Sequence, residues 1–178
     1  MFGMMLMALT IGTTFPSCEK EIVQEFPKMT LKDSGNEWDR LSLMEVEGLT
    51  SSTSLPVRNM TAYARLSFFG PNELRIDQTY IYNGRCRDLS RDYAKAEIVS
   101  VGYVNNLNDV NNVPSSGWTT NATVQVGHGY IIRFQSASYS EITFRRYARV
   151  YVESWDKGAE GDIIGVVVQY EDNWLVDY

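Results

Sequence analysis

Alternation is the dominant rhythm in the second half of the chain. From Val124 to Gln135 the sequence VQVGHGYIIRFQ puts Val124, Val126, His128, Tyr130, Ile132 and Phe134 on one face of an extended segment. Gln125, Gly127, Gly129, Arg133 and Gln135 fall on the other, the period-two signature of a half-buried strand, with Ile131 as the exception. Tyr147 to Trp155, YARVYVESW, repeats the pattern. Ala148, Val150, Val152 and Ser154 form a small, close-packing face, opposite Tyr147, Arg149, Tyr151, Glu153 and Trp155. Asp162 to Glu171, DIIGVVVQYE, is apolar on both faces at its centre, which predicts a strand inside the sheet and covered on both sides. The polar, Gly-containing connector DKGAEG, Asp156 to Gly161, predicts an antiparallel hairpin between these last two strands. Ala96 to Val104, AEIVSVGYV, reads as a fourth strand.

No segment keeps a 3.6-residue apolar period over three turns. The one helical expectation is a single turn at Ser90 to Lys95, capped by Asp88 or Ser90. Residues 48–61, GLTSSTSLPVRNMT, read as a loop, and so does the Asn-rich stretch from Asn105 to Trp118. The pattern leaves the topology of residues 29–95 open. The fold class expected is mainly β: one antiparallel β-sandwich or partly open barrel over residues 29–178, with at most short helical turns. A domain of ~150 residues buries ~70% of its unfolded surface, so it needs no metal or disulfide to hold together.

The first segment has a different character. Met1 to Phe15 carries no charge and is rich in Met, Leu and small residues. It is shorter than the ~20 residues of a membrane span and fits the apolar region of an export signal. The basic start such a signal carries would then lie upstream, making Met1 an internal methionine. Phe15-Pro16-Ser17-Cys18 resembles a bacterial lipobox, whose cysteine is lipidated and becomes the new N-terminus. On this reading residues 1–17 are the lipoprotein signal segment, residues 18–28 are the lipidated Cys18 and its tether, and the partner of that cysteine is a membrane. Glu19-Lys20-Glu21 resembles the acidic surface-export tag of Bacteroidetes lipoproteins. Each buried methylene contributes ~0.8 kcal/mol, and two acyl chains hold a protein on a bilayer where one does not. The alternatives for Cys18 are pairing with Cys86 or burial in a core. If Cys18 is lipidated, Cys86 is left unpaired between Arg85 and Arg87.

The order of pieces also resembles a family: small lipoproteins of gut Bacteroides that carry a domain of unknown function. The residues behind the resemblance are Ser100-Val101-Gly102, the run from Asn106 to Val110, Pro114 to Trp118, and Val126-Gly127-His128-Gly129-Tyr130. Tyr147 to Val152, Gly161 to Gly165 and Val168-Gln169-Tyr170 follow, so that it covers about residues 96–171 plus the lipobox. It departs where Asp172 to Tyr178, DNWLVDY, continues past the usual ending. The resemblance implies an envelope protein, lipid-anchored at the outer membrane on its periplasmic or surface face. It implies no particular activity.

Composition removes several chemistries. The net charge of −6 and pI near 4.8 argue against a backbone-tracking nucleic-acid binder, so no nucleic-acid partner is expected. Two cysteines make no disulfide framework. With a single histidine and no paired CxxC, no metal or other cofactor is expected. The sequence holds no GxSxG, HExxH or P-loop. His128 sits between two glycines that let backbone or a ligand approach, but no second group is placed beside it, so it reads as a partly buried, hydrogen-bonded residue. Glu153, Asp156, Glu160 and Asp162 cluster around the last hairpin. Two carboxylates ~5–10 Å apart suffice for a glycosidase, yet nothing apolar nearby would raise a pKa, and a solvated rim is the simpler reading. Arg145, Arg146 and Arg149 read as a solvated strand end.

The ligand-binding candidates are Tyr147, Arg149, Tyr151, Glu153 and Trp155, with Trp118 in the long loop. Tyr and Trp rings offer flat apolar area with a polar tip, and the interleaved Arg and Glu suit sugar hydroxyls or a peptide backbone. The competing use is packing, which aromatics in strands mostly serve. The expected function is non-catalytic binding of a glycan, a peptide or an envelope partner. A small carboxylate-dependent hydrolase and a structural subunit of a surface assembly are the alternatives.

Overall fold

The computed structural model describes residues 25–33, 40–47, 61–82, 85–88, 94–136 and 144–177. The ten strands among them form two antiparallel sheets that face each other without closing into a barrel. The first sheet runs, in spatial order, β1 (Lys28–Lys32), β10 (Ile163–Asp177), β9 (Arg145–Lys157), β8 (His128–Ser136) and β6 (Ala94–Tyr103). The second runs β2 (Leu41–Glu47), β3 (Thr61–Phe69), β4 (Glu73–Tyr82) and β5 (Arg85–Asp88). The short β7 (Asn121–Thr123) shares the edge of β4 with β5. The fold is a β-sandwich, as the period-two patterning requires.

Alternation places the core. Tyr130, Ile132 and Phe134 of β8, Ala148, Val150 and Val152 of β9, and Val166 and Val168 of β10 are fully buried between the sheets. Leu43, Met44, Ala62, Ala64, Leu66, Leu74 and Ile76 meet them from the second sheet. The last hairpin forms as expected, closed by Gly158 N–H to Asp162 C=O at 2.9 Å.

A third layer covers the outer face of the first sheet. The Asn-rich segment crosses that face with a single 3₁₀ turn, Leu107–Asp109, capped by the Asn106 side chain accepting from Asn108 N–H at 2.9 Å. Leu107 and Val110 are buried against Val99, Ile131 and Tyr147, and Val113 and Trp118 pack beside them. This layer accounts for Ile131: the position that broke the alternation is apolar because both faces of β8 are covered.

Several expectations change. The strand read as Val124–Gln135 begins at His128, because Gly127 at φ 82° makes a turn before it. Val124 enters the core from a separate segment, and Val126 is exposed. Ala94 and Lys95, assigned to a helical turn, open strand β6, and residues 90–93 lie outside the described residues. The loop expected over residues 48–61 lies outside them as well, except for Thr61, which starts β3. The segment 172–177 extends β10, and Trp174 packs on the outer cluster. The end of the tether is part of the body: Pro27 C=O accepts from Tyr170 N–H at 3.1 Å, and Phe26 packs on the outer cluster.

Candidate functional site

The residues put forward from the sequence separate into three places. Between Val152 and Ser154 the register of β9 against β10 slips by one residue, which leaves Glu153 as the extra residue of a β-bulge. A one-residue slip turns every later side chain to the opposite face. Tyr147, Arg149 and Tyr151 stay on the outer face, whereas Trp155 turns to the inter-sheet core, where its ring lies 6.3 Å from that of Phe68. Glu153 pairs with Lys28 at 2.6 Å. The five residues therefore do not share one face.

Those left on the outer face are tied into the third layer. Arg149 is 7% exposed. It holds the Glu171 carboxylate at 2.6 Å, donates to Val110 C=O at 3.1 Å, and lies over the rings of Trp174 at 5.1 Å and Phe26 at 5.4 Å. It is no solvated strand end. Three other chain segments meet on one guanidinium, whose planar fork suits several simultaneous partners. Trp118 lies between the Arg133 guanidinium, 4.2 Å from its ring centroid, and the Tyr147 ring at 6.3 Å, and its Nε1 donates to Pro114 C=O at 3.1 Å. Arg133 and Lys95 both pair with the buried Glu97. Burial alone pushes the Glu97 carboxyl up, but the hydrogen bonds and charges of Lys95 and Arg133 outweigh it and hold it below the ordinary carboxylate range. Cys18 lies outside the described residues. Cys86 takes its place in β5 opposite Ile81.

A separate concavity opens where β6 and the segment Pro114–Gln125 part company. It is a trough of about 510 Å³. Val99 and Ser100 line it from β6, Pro114, Ser116 and Gly117 from the crossing segment, and Thr119, Asn121 to Thr123 and Gln125 from the stretch that follows, with His128 at the start of β8. No charged side chain lines it. The walls are firmly set. Thr119 exchanges both peptide hydrogen bonds with Ile98, at 2.7 and 3.0 Å, on the free edge of β6. Two residues on, the alternation of an antiparallel edge turns the peptide groups of Ser100 outward again, toward the trough. From the core side, the buried Tyr130 hydroxyl donates to Thr123 C=O at 2.7 Å and accepts from Gln125 N–H at 3.0 Å. Burial raises the Tyr130 pKa, with the Gln125 hydrogen bond opposing.

Beside His128 stands Tyr103, 75% exposed. Its ring meets the His128 imidazole edge-on, at 6.5 Å and 82°. Gly127 makes the seat: a Cβ there would lie 2.7 Å from the ring. Tyr103 was missed by sequence reasoning because it sat among the apolar residues at the end of a predicted strand, Ala96 to Val104. The glycine immediately before its cross-strand partner His128, in GHG, is the signal that could have found it. The carboxylates of the last hairpin do not line the trough, and Glu160 and Asp162 are exposed.

Among the described residues no group of three or more His, Cys, Asp or Glu side chains is placed to hold a metal ion, and no helix is long and apolar enough to cross a membrane. No family model, curated protein or solved structure matches the chain.

Proposed function

We propose that the chain is a lipid-anchored module of a bacterial cell envelope that binds its ligand in the trough between β6 and the Pro114–Gln125 segment and does not transform it. The observation that carries the binding reading is the pairing of an uncharged polar trough with walls fixed from both sides, by Ile98–Thr119 and by the Tyr130 hydroxyl. Such walls are pre-organised, so little ordering cost falls on association. A non-catalytic role is supported by the lining chemistry: His128 is the one imidazole in the lining, and no carboxylate or nucleophilic thiol stands there beside it. The anchor rests on Cys18 within Phe15-Pro16-Ser17-Cys18.

Two measurements test the two halves. Cys18→Ala should move the protein from the detergent phase to the aqueous phase on Triton X-114 partition; if the variant stays with detergent, the lipid reading fails. Amide chemical shifts recorded against panels of oligosaccharides and oligopeptides should move at Ser100, Thr119 to Gln125 and His128, with each probe recovered unchanged. Shifts elsewhere, or cleaved probe, would overturn the second half.

A further inference from the structure

Resting on the reading of the trough as a binding site, we propose that its ligand is a neutral saccharide that lays one ring face on Tyr103 and directs its hydroxyls into the trough. Tyr103 is the most exposed large hydrophobic side chain among the described residues, yet it is not loose. It is seated on Gly127 on one side and meets His128 edge-on at another. A rigid, flat, exposed ring with a polar tip costs little entropy to use and offers apolar area to a partner that is itself polar at its rim. A pyranose has that character, with C–H bonds on a face and hydroxyls around the edge.

The trough next to it selects in the same direction. Ser116 and Thr123 carry hydroxyls and Gln125 an amide, each able to donate and accept, while Ser100 Oγ, which accepts from Gly102 N–H, can still donate, and Thr119 Oγ1 and Asn121, whose donors go to Asn121 C=O and Glu73, can still accept. A phosphate, carboxylate or ammonium ligand would lose its hydration and find no opposite charge in this lining. A hydroxyl-rich neutral ligand replaces each lost water with a hydrogen bond. A volume of about 510 Å³ falls within the range of sites that enclose small ligands.

A peptide fits less well, for a reason of register. Adding a strand to a sheet edge needs several consecutive outward-facing peptide groups. On the free edge of β6, Ile98 is already taken by Thr119, and the register shifts between Ser100 and Gly102. Ser100 is left as one isolated outward position, enough to bind a hydroxyl pair and too short to template a strand.

The test is calorimetric titration of the full domain with neutral hexasaccharides of glucose, mannose and N-acetylglucosamine, against hexagalacturonate and a (Gly-Ser)₃ peptide. At least one neutral hexasaccharide should bind. Tyr103→Ala should weaken it about tenfold or more, and Tyr103→Trp should retain it. The thermal midpoint of both variants should stay at that of the parent. Preference for hexagalacturonate, or saccharide binding indifferent to Tyr103, would overturn the inference. If only the peptide binds, and Ser116→Trp abolishes that binding, the trough remains a binding site and the saccharide assignment alone falls. If none of the probes binds, both readings fall.

Discussion

A Cβ at Gly129 would run into the methyl groups of Val110, Val101 and Val104. Val101 and Val104 stand at the end of β6 and Val110 on the segment that crosses the outer face of the first sheet, so the missing side chain is what lets that segment lie down. Gly129→Ala should destabilise the protein by ~1–3 kcal/mol in urea unfolding, the usual cost of overpacking. It should also speed amide exchange across Leu107–Val113 ahead of the rest. The glycines around His128 were legible as places of close approach. What approaches could not be read: at Gly129 it is the protein's own loop, and at Gly127 the ring of Tyr103. The same division applies to the aromatics. Trp155 packs between the sheets, and Trp155→Ala should cost ~3 kcal/mol. Tyr103→Ala, at a surface position, should stay within ~0.5 kcal/mol of the parent. Equal losses in the two variants would contradict the placement of these rings.

Strands in this protein are interrupted, and the interruptions carry the tertiary contacts. β2 shifts register between Leu43 and Val46, and β10 between Glu171 and Leu175. The two irregular stretches hold each other. Met44 sits at φ 56° with its N–H donating to the Asp172 carboxylate at 2.7 Å, while Arg146 reaches both Glu45 C=O and the Asn173 side chain. A left-handed non-glycine residue costs ~1–2 kcal/mol, and here a cross-sheet hydrogen bond to a charged acceptor offsets it. Asp172→Ala should therefore lower stability by ~1–2 kcal/mol, although Asp172 itself is exposed. Bulges also explain which parts of the sequence reading succeeded. Alternation located the cores of β8 and β9, and a run apolar on both faces that of β10, to within a few residues. An inserted residue leaves no mark in composition, so the face of Trp155 was inverted by Glu153. The long Asn-rich segment resembled a solvated loop because its apolar residues, Leu107, Val110 and Val113, are spaced for a 3₁₀ turn and an irregular crossing, neither of which has a strand or α-helix period.

For the molecule as a whole, the outer layer is its acid-sensitive part. Glu97 has a pKa lowered on folding, so the stability it contributes is present above the unfolded value near 4.5 and is lost as pH falls through the folded one. Arg133, its partner, also stacks on Trp118, so acidification should release the loop before the inter-sheet core. Tryptophan fluorescence should change below about pH 4.5 ahead of the far-UV signal, and Glu97→Gln should flatten that early change. A single transition in both signals would argue that the layers unfold together. The sandwich class was legible from strand spacing and turn residues. The trough was not, because it arises where the chain from Thr119 to Thr123 leaves one sheet for the other, and such a crossing is set by packing between elements far apart in sequence.

The direction of β1 has a geometric corollary. Lys28, Gln169, Tyr151, Gly129 and Gly102 stand in one row across the first sheet, and Tyr103 and His128 lie one step beyond it. β1 ascends from Lys28 toward that end, and Phe26 touches Arg149 on the other side of the row, so the polypeptide enters the sheet from the side away from Tyr103. From Cys18 to Glu25 is seven residues, at most ~25 Å when stretched. An acylated Cys18 would thus hold the sandwich on a short leash that joins the sheet at Lys28, near the Tyr103 end of β6. Beyond Tyr103 the β9–β10 hairpin reaches farther, out to Lys157 and Ile163.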